Sequence, residues 1–363
     1  MKERAKKEEH NALRGHHKAV SVPLEERISL LHTSRNYSKD QPPQRSLEWY
    51  KHRAYKITAS HYGKLMSTSS VAKKTHAFTQ AKSIRNEDFS PKPFSSGQAC
   101  MWGNMMEPIC SMLYVHFAKD TVMLEEFGLL CDKEHTYIGA SPDAICNEQS
   151  GEEYVGRLVE FKAPYSRSIV AGHVPIEYLK QIQGQLQVTR LPCCDYAEYN
   201  ICTESRFESM QRYERFRMYN EDKHKTKEQC SHFAMHAQGF IVKTVDETNH
   251  VIHYYGPIND IEDSTIEQQL LSMSPHQQSH AHVTYWSLVD SQIVTVYRNE
   301  AYFNEYMLPH LQETWKYMKE FLDNDTLFQS EHTKREESAL KRKKRKQEKA
   351  QQSENMFGFR GSS

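Results

Sequence analysis

The segment that most narrows what this chain can become is the run Leu158-Val159-Glu160-Phe161-Lys162. Its apolar members read as a strand of the interior, yet it carries a carboxylate and an ammonium. Successive side chains of a strand point to opposite faces, so Glu160 and Lys162 emerge together while Val159 and Phe161 face the other way. Isolated charges in an apolar strand are costly without a task. Upstream, Gly139-Ala140-Ser141-Pro142-Asp143 ends on a second acid, and the polar run 147–153 reads as a turn before a strand over 154–162, so a hairpin would set Asp143 across from Glu160. Two carboxylates that close repel unless a cation joins them, and a hard, oxygen-seeking Mg²⁺ or Mn²⁺ is the natural occupant. Such an ion activates water and stabilises charge developing at phosphorus, with Lys162 to orient or deprotonate the water. The bland alternative is an exposed cross-strand ion pair worth at most about 1 kcal/mol.

Around this hairpin the pattern alternates helix and strand. Met105, Ile109, Met112, Leu113 and His116 recur at helical spacing, and 175–189 carries Ile176, Leu179, Ile182 and Leu186 on one stripe. Phe303, Met307, Leu311, Trp315, Met318 and Leu322 mark a closing helix. Short apolar runs at 122–130, 137–140, 143–146, 195–202, 240–245 and 292–298 read as strands. A chain of 363 residues, 38% hydrophobic and 26% charged, has enough material for one large α/β domain with appendages. The pattern divides it into a polar N-terminal arm over 1–45, a domain over 46–325 and a disordered basic tail over 326–363. Within the domain lie a polar linker around 68–98 and a charge-rich insertion at about 203–284.

Four blocks occur in one order: Arg53-x-x-x-Ile57-Thr58-Ala59-Ser60, Trp102-Gly103-x-x-x-Glu107, Pro142-Asp143 with Glu160-x-Lys162-x-Pro164, and Gln181-x-Gln183 before Val188-Thr189. With these blocks the sequence resembles the PD-(D/E)XK nucleases, and within them the lambda exonuclease group with the YqaJ-type viral recombinases. The resemblance covers roughly 47–202 plus the terminal strand and helix. It implies a restriction-endonuclease-like α/β core, a central mixed sheet flanked by helices. It also implies a metal-dependent 5′-to-3′ exonuclease on double-stranded DNA ends, serving recombination or viral and mobile-element replication. Asp143, Glu160 and the Phe161 carbonyl would bind the catalytic Mg²⁺ or Mn²⁺, with Glu107 near a second ion. Lys162 would handle the nucleophilic water and Gln183 would support Lys162 or the substrate. Arg53, Ser60 and Ser141 would form a pocket for the 5′-phosphate, with Arg167 as a further basic residue. Expected partners are DNA ends, a single-strand annealing protein and further copies of the chain.

Other readings of the same residues stay open. Asn104-x-x-Glu107 also reads as a helix N-cap with its reciprocal glutamate, with Pro108 in the first turn. Gln183 also reads as a satisfied structural amide, Arg53 as solvated surface and Ser60 as a cap. The fold could also serve an inactive DNA- or protein-binding module, or an endonuclease or resolvase.

Net charge is formally zero, but residues 331–350 carry a surplus of five positive charges and the remainder a matching deficit. Lys341 to Lys346 are six basic residues in a row, which read as a nuclear import signal in a eukaryotic host and as phosphate affinity in any host. Without such a host the expected location is cytoplasmic. No apolar stretch approaches the ~18 residues of a membrane span, and the charged start is unlike a secretory signal, so a reducing compartment is expected. The eight cysteines include no C-x-x-C pair and read as free thiols. The rivals are an iron–sulfur cluster on Cys193, Cys194 and Cys202, and a zinc site of Cys230 with His232, His236, His276, His280 and His282.

Overall fold

The strand anticipated around Glu160 is β6 (Leu158–Lys162), and its first four residues are buried. A strand with no exposed face needs a cover on each side, and the chain supplies a helix for each. Over Val159 and Phe161 lies α6 (Gln98–Phe117), whose Met106, Ile109, Cys110 and Leu113 form one apolar core with them and with Ala197, Tyr199 and Trp286. Over Glu160 lies α7 (Ile176–Thr189), which reaches it through two glutamine side chains. The computed structural model describes residues 2–15, 22–89, 97–118, 121–205, 207–211, 214 and 237–358.

Seven strands form the main sheet in the order β2 (Leu124–Glu125), β5 (Ala144–Cys146), β6, β7 (Cys193–Glu204), β10 (His282–Tyr297), β8 (Gln238–Val245) and β9 (Val251–Tyr255). Strands β6 and β7 run parallel with α7 as their crossover, and the other pairs are antiparallel. A smaller sheet pairs β1 (Ile57–Thr58) in parallel with β4 (Ile138–Ala140), which also pairs with β3 (Leu130–Cys131). The mixed α/β class expected from the sequence is the one the chain adopts.

Several boundaries differ from the sequence reading. The segment read as a polar arm folds as α1 (Lys2–Arg14) and α2 (Leu24–Ser38), and Leu13 and Leu31 are fully buried. Two apolar anchors and polar side-chain bonds suffice to dock helices that look solvated: Arg35 bonds Glu125 at 2.7 Å and Glu148 at 2.6 Å. Helix α6 starts at Gln98 behind Gly97, so Asn104 is not its cap and Pro108 lies inside it. The described part of the insertion includes ordinary sheet, because β8, β9 and the first part of β10 fall within it, and two short helices over Asp263–Leu271 and Pro275–Ser279. Cys230, His232 and His236 of the alternative zinc site lie outside the described residues.

The chain divides into two compact units, residues 1–63 with 90–305, and residues 64–89 with 306–363. Both sheets belong to the first, together with α3 (Leu47–Ala54). The stretch read as a linker contains α5 (Ser70–Arg85), which follows the single turn α4 (Tyr62–Leu65). In the second unit Ala77, Phe78 and Ala81 of α5 pack on Met318, Phe321 and Phe328, and the Lys73 ammonium, 1% exposed, meets Glu313 at 2.6 Å. The tail expected to lack order is a helix over Asp325–Gly358. Its Phe328 is buried and an Arg335–Glu331 pair spans one turn at 2.6 Å, the spacing that stabilises an exposed helix. No helix among the described residues is long and apolar enough to cross a membrane.

The buried anchors make the N-terminal helices part of the fold. Leu31→Ala should therefore cost about 2–5 kcal/mol in chemical denaturation, the range for a truncated core leucine; an unaltered midpoint would return this segment to the status of an arm.

Candidate active site

The hairpin pairs Ala144 with Val159 and Ile145 with Leu158, and one step further brings Asp143 opposite Glu160. Asp143 Oδ2 accepts the Phe161 N–H at 2.8 Å, which fixes the aspartate against the strand it faces. Glu160 is 1% exposed, and three donors hold its carboxylate: the Lys162 ammonium, Gln181 Nε2 at 2.6 Å and Gln185 Nε2 at 2.6 Å. Lys162 also donates to the Phe161 carbonyl at 3.0 Å, and its Nζ stands 5.1 Å from the Tyr178 ring centroid.

These charges set one another. Burial pushes the Asp143 carboxyl well above the usual range, and the nearby Glu160 charge pushes the same way. Burial alone would pull the Lys162 ammonium down, but Glu160 and Asp143 outweigh it and hold the group above its ordinary value. In the metal-free protein Lys162 is thus held as an ammonium and acts as a donor to Glu160 and the Phe161 carbonyl.

A cleft of about 390 Å³ opens beside this cluster, lined by Gln44, Arg45, Glu107, Glu126, Asp143 and Phe161 among others. Glu107 lies within electrostatic range of Asp143. Its carboxylate is taken by Arg45 Nη2 at 2.6 Å, and since Asn104 is interior to α6, the capping role does not arise. Among the described residues no three His, Cys, Asp or Glu side chains are grouped to hold one ion, so Glu107 does not join Asp143 and Glu160 in a three-carboxylate site. The Glu160 carboxylate and the Phe161 carbonyl nevertheless share the Lys162 ammonium, and Asp143, bonded to the Phe161 amide, lies within electrostatic range of it. That all-oxygen set fits Mg²⁺ or Mn²⁺, since Mg²⁺ typically takes one or two carboxylates and completes its shell with water and substrate phosphate.

The residues expected to meet a 5′-phosphate are partly assembled. Arg53 Nη2 donates to Thr58 Oγ1 at 3.1 Å and Ser60 Oγ at 3.2 Å, and its guanidinium lies 4.3 Å from the Trp49 ring centroid on α3. No carboxylate among the described residues pairs with Arg53, and burial pulls its pKa down to about 10. Ser60 lies in the short 3₁₀ turn over 59–61 that follows β1, whose ladder ends at Thr58 and Gly139, and Ser141, one residue past β4, has a buried Oγ that lacks a hydrogen-bond partner. Arg167 is not in this group. It pairs with the buried Glu198 and donates to the Tyr196 hydroxyl at 3.0 Å, so its charge is already compensated.

Gln183 is likewise displaced from the role the resemblance implied. Its Nε2 donates to the carbonyls of Leu13 at 2.6 Å and Tyr297 at 2.7 Å, and its Oε1 accepts from Asn299 N. Residues four apart share a helix face whereas residues two apart do not, so Gln181 and Gln185 reach Glu160 and Gln183 turns away. That spacing was present in the sequence. Gln185, Arg45 and Glu126 carried no other signal.

Residues 48–192 match the YqaJ-like viral recombinase domain. Every site residue expected from the sequence falls inside this YqaJ-like span. A stretch of 119 residues is 36% identical to an uncharacterized protein of Acanthamoeba polyphaga mimivirus, covering 30% of this chain and 21% of that protein. The chain thus spans about a fifth of the length of this curated relative. Among solved structures, an alkaline exonuclease from Laribacter hongkongensis is 15% identical over 81% of this chain and all of that one, with a TM-score of 0.44. Its complex with dAMP gives the same coverage and a TM-score of 0.45. A phage-related exonuclease from Haemophilus somnus is 11% identical, with 74% and 95% coverage and a TM-score of 0.34.

Two variants separate the glutamines. Gln185→Leu should lower any cation-dependent activity about 10- to 100-fold, the usual effect of removing a group that orients a ligand, and should also cost stability, because it leaves the buried Glu160 charge one donor short. Gln183→Leu should cost about 1–3 kcal/mol for its orphaned backbone partners while leaving the activity of the folded protein nearly unaltered; a loss of activity of about 10-fold or more in Gln183→Leu would restore Gln183 to the site. A carboxyl whose pKa is raised on folding stabilises the protein at low pH and loses that contribution as pH climbs through the raised value. Asp143→Asn should therefore raise the melting temperature of the metal-free protein at neutral pH and flatten its pH dependence; an unchanged temperature would contradict the burial argument.

Proposed function

We propose that this chain is a DNA nuclease of the lambda exonuclease type, a metal-dependent phosphodiesterase that digests linear duplex from its 5′ ends. The observation that carries the reading is the meeting of Asp143, Glu160 and Lys162 at the end of one hairpin, beside an open cleft. Nothing in binding alone calls for that trio. The match to a YqaJ-like recombinase domain supports the same class.

Asp143, Glu160 and the Phe161 carbonyl would hold the divalent cation, Mg²⁺ or Mn²⁺. When bound, that ion lowers the pKa of water and neutralises charge on the phosphoryl oxygens. The chain's own residues do the rest. Gln181 and Gln185 hold Glu160 in one orientation, and Asp143 is held by the Phe161 amide. Lys162, kept protonated by its carboxylates, points a donor at the site where the attacking water and the scissile phosphate would sit. Arg53 without a carboxylate partner and Ser60, together with the orphaned Ser141 hydroxyl that the resemblance adds to them, would form a donor set suited to a terminal phosphate dianion, which favours 5′-phosphorylated ends.

Asp143→Ala, Glu160→Ala and Lys162→Ala should each abolish Mg²⁺-dependent loss of linear duplex, followed by gel and by release of acid-soluble nucleotide. Wild-type protein should prefer 5′-phosphorylated over 5′-hydroxyl ends, and Arg53→Gln should erase that preference. Full activity in all three alanine variants would sink the assignment and favour a binding module; cleavage of closed circular DNA would favour an endonuclease. For Lys341 to Lys346, exposed along the helix Asp325–Gly358, nuclear import in a eukaryotic host is the proposed role.

A further inference from the structure

Arg45 stands outside the blocks that carry the family resemblance and outside the matched span 48–192, yet it lines the same cleft as Asp143 and Phe161. Its backbone is in the left-handed region, φ 67°, where a side chain is disfavoured and glycine is the natural occupant. A turn leading into α3, whose N-cap is Ser46, would be made more easily without this side chain. The chain keeps an arginine there and fixes it in place. Gln44, its neighbour, donates to the carbonyls of Phe127 at 2.7 Å and Pro142 at 3.3 Å, the latter adjoining Asp143. The strained residue is therefore tied to the segment that presents the catalytic aspartate.

Its guanidinium is also incompletely used. One nitrogen, Nη2, bonds Glu107 Oε2 at 2.6 Å, no further partner is recorded for the others among the described residues, and the side chain is 50% exposed. The lining of the cleft otherwise supplies the carboxylates Glu107, Glu126 and Asp143 and no other cation. A polyanion entering a site lined by three acids meets repulsion unless a fixed cation offsets it, and a planar guanidinium with spare donors is the group suited to phosphate. Strain held at such a position points to use.

We propose that Arg45 is a DNA-contacting residue of this nuclease, holding a backbone phosphate of the strand in the cleft while Glu107 keeps its side chain aimed before substrate arrives. The inference rests on the nuclease reading above and adds to it a phosphate contact on the Glu107 side of the cleft, separate from the Arg53 pocket.

The test uses the full chain in a cleavage-deficient Asp143→Asn background with Ca²⁺, measuring duplex binding by fluorescence anisotropy between 50 and 200 mM salt. Adding Arg45→Gly should weaken binding about tenfold and reduce the slope of log K against log salt by about one, the loss of a single phosphate contact. Because glycine relieves the backbone, the same change should keep or raise the melting temperature. Arg45→Gln, which retains the strain and removes only the charge, should give the same loss of slope, and Arg45→Lys should restore most of it. An unchanged slope in both Arg45→Gly and Arg45→Gln would overturn the proposal and leave the residue as a partner of Glu107 alone. If the Asp143→Asn parent still digests duplex as wild type does, the nuclease reading itself has failed; if the parent is inactive and binds DNA with an Arg45-independent slope, only this inference has.

Discussion

The carboxylate of Glu160 is the constraint around which the first unit is arranged. A charge 1% exposed within an apolar strand is tolerable only if its lone pairs are met, and three donors from two elements meet them. Lys162 comes from the same strand, two residues on, while Gln181 and Gln185 come from the crossover helix that makes β6 and β7 parallel. That helix has to lie across the Glu160 face, and its far side is tied to the N-terminal helix through Gln183. One buried charge thus specifies the placement of a strand, a crossover and a terminal helix.

The same arrangement is poised rather than relaxed. Glu160 takes the Lys162 ammonium, while Asp143, within range of both charges, is held in an environment that disfavours its own. A carboxylate so placed is unfavourable for the apo protein, and a cation bound beside it would relieve that cost. Arg45 extends the theme to the cleft wall, where a strained backbone presents a guanidinium to Glu107.

Much of this was legible in the sequence because its physics is local. Strand alternation put Glu160 with Lys162, the Ser-Pro-Asp turn before β5 set Asp143 opposite, and the helical stripe Ile176, Leu179, Ile182, Leu186 located α7. What escaped notice depends on partners distant in sequence. Whether Gln183 or Gln185 faces Glu160 is decided by how α7 is rotated against β6 and α1, although the four-residue spacing of Gln181 and Gln185 was there to be read. The polar N-terminal helices looked solvated because their docking combines a few buried anchors such as Leu13 and Leu31 with polar bonds such as those of Arg35, whose partners are distant in sequence. Arg167 looked like a free cation until Glu198, arriving on β7, compensated it. The tail looked disordered because its charges suggest solvent, and charges spaced four apart equally suit an exposed helix.

The central claim is that the buried Glu160 charge exists to hold a divalent cation beside Asp143. Calorimetric titration of Mn²⁺ into the wild type and into Glu160→Gln tests it directly, since glutamine preserves the shape of the side chain and removes only the charge. The account predicts saturable binding in the wild type that is lost in the variant while its circular dichroism stays native. Equal Mn²⁺ affinity in the two proteins would contradict it.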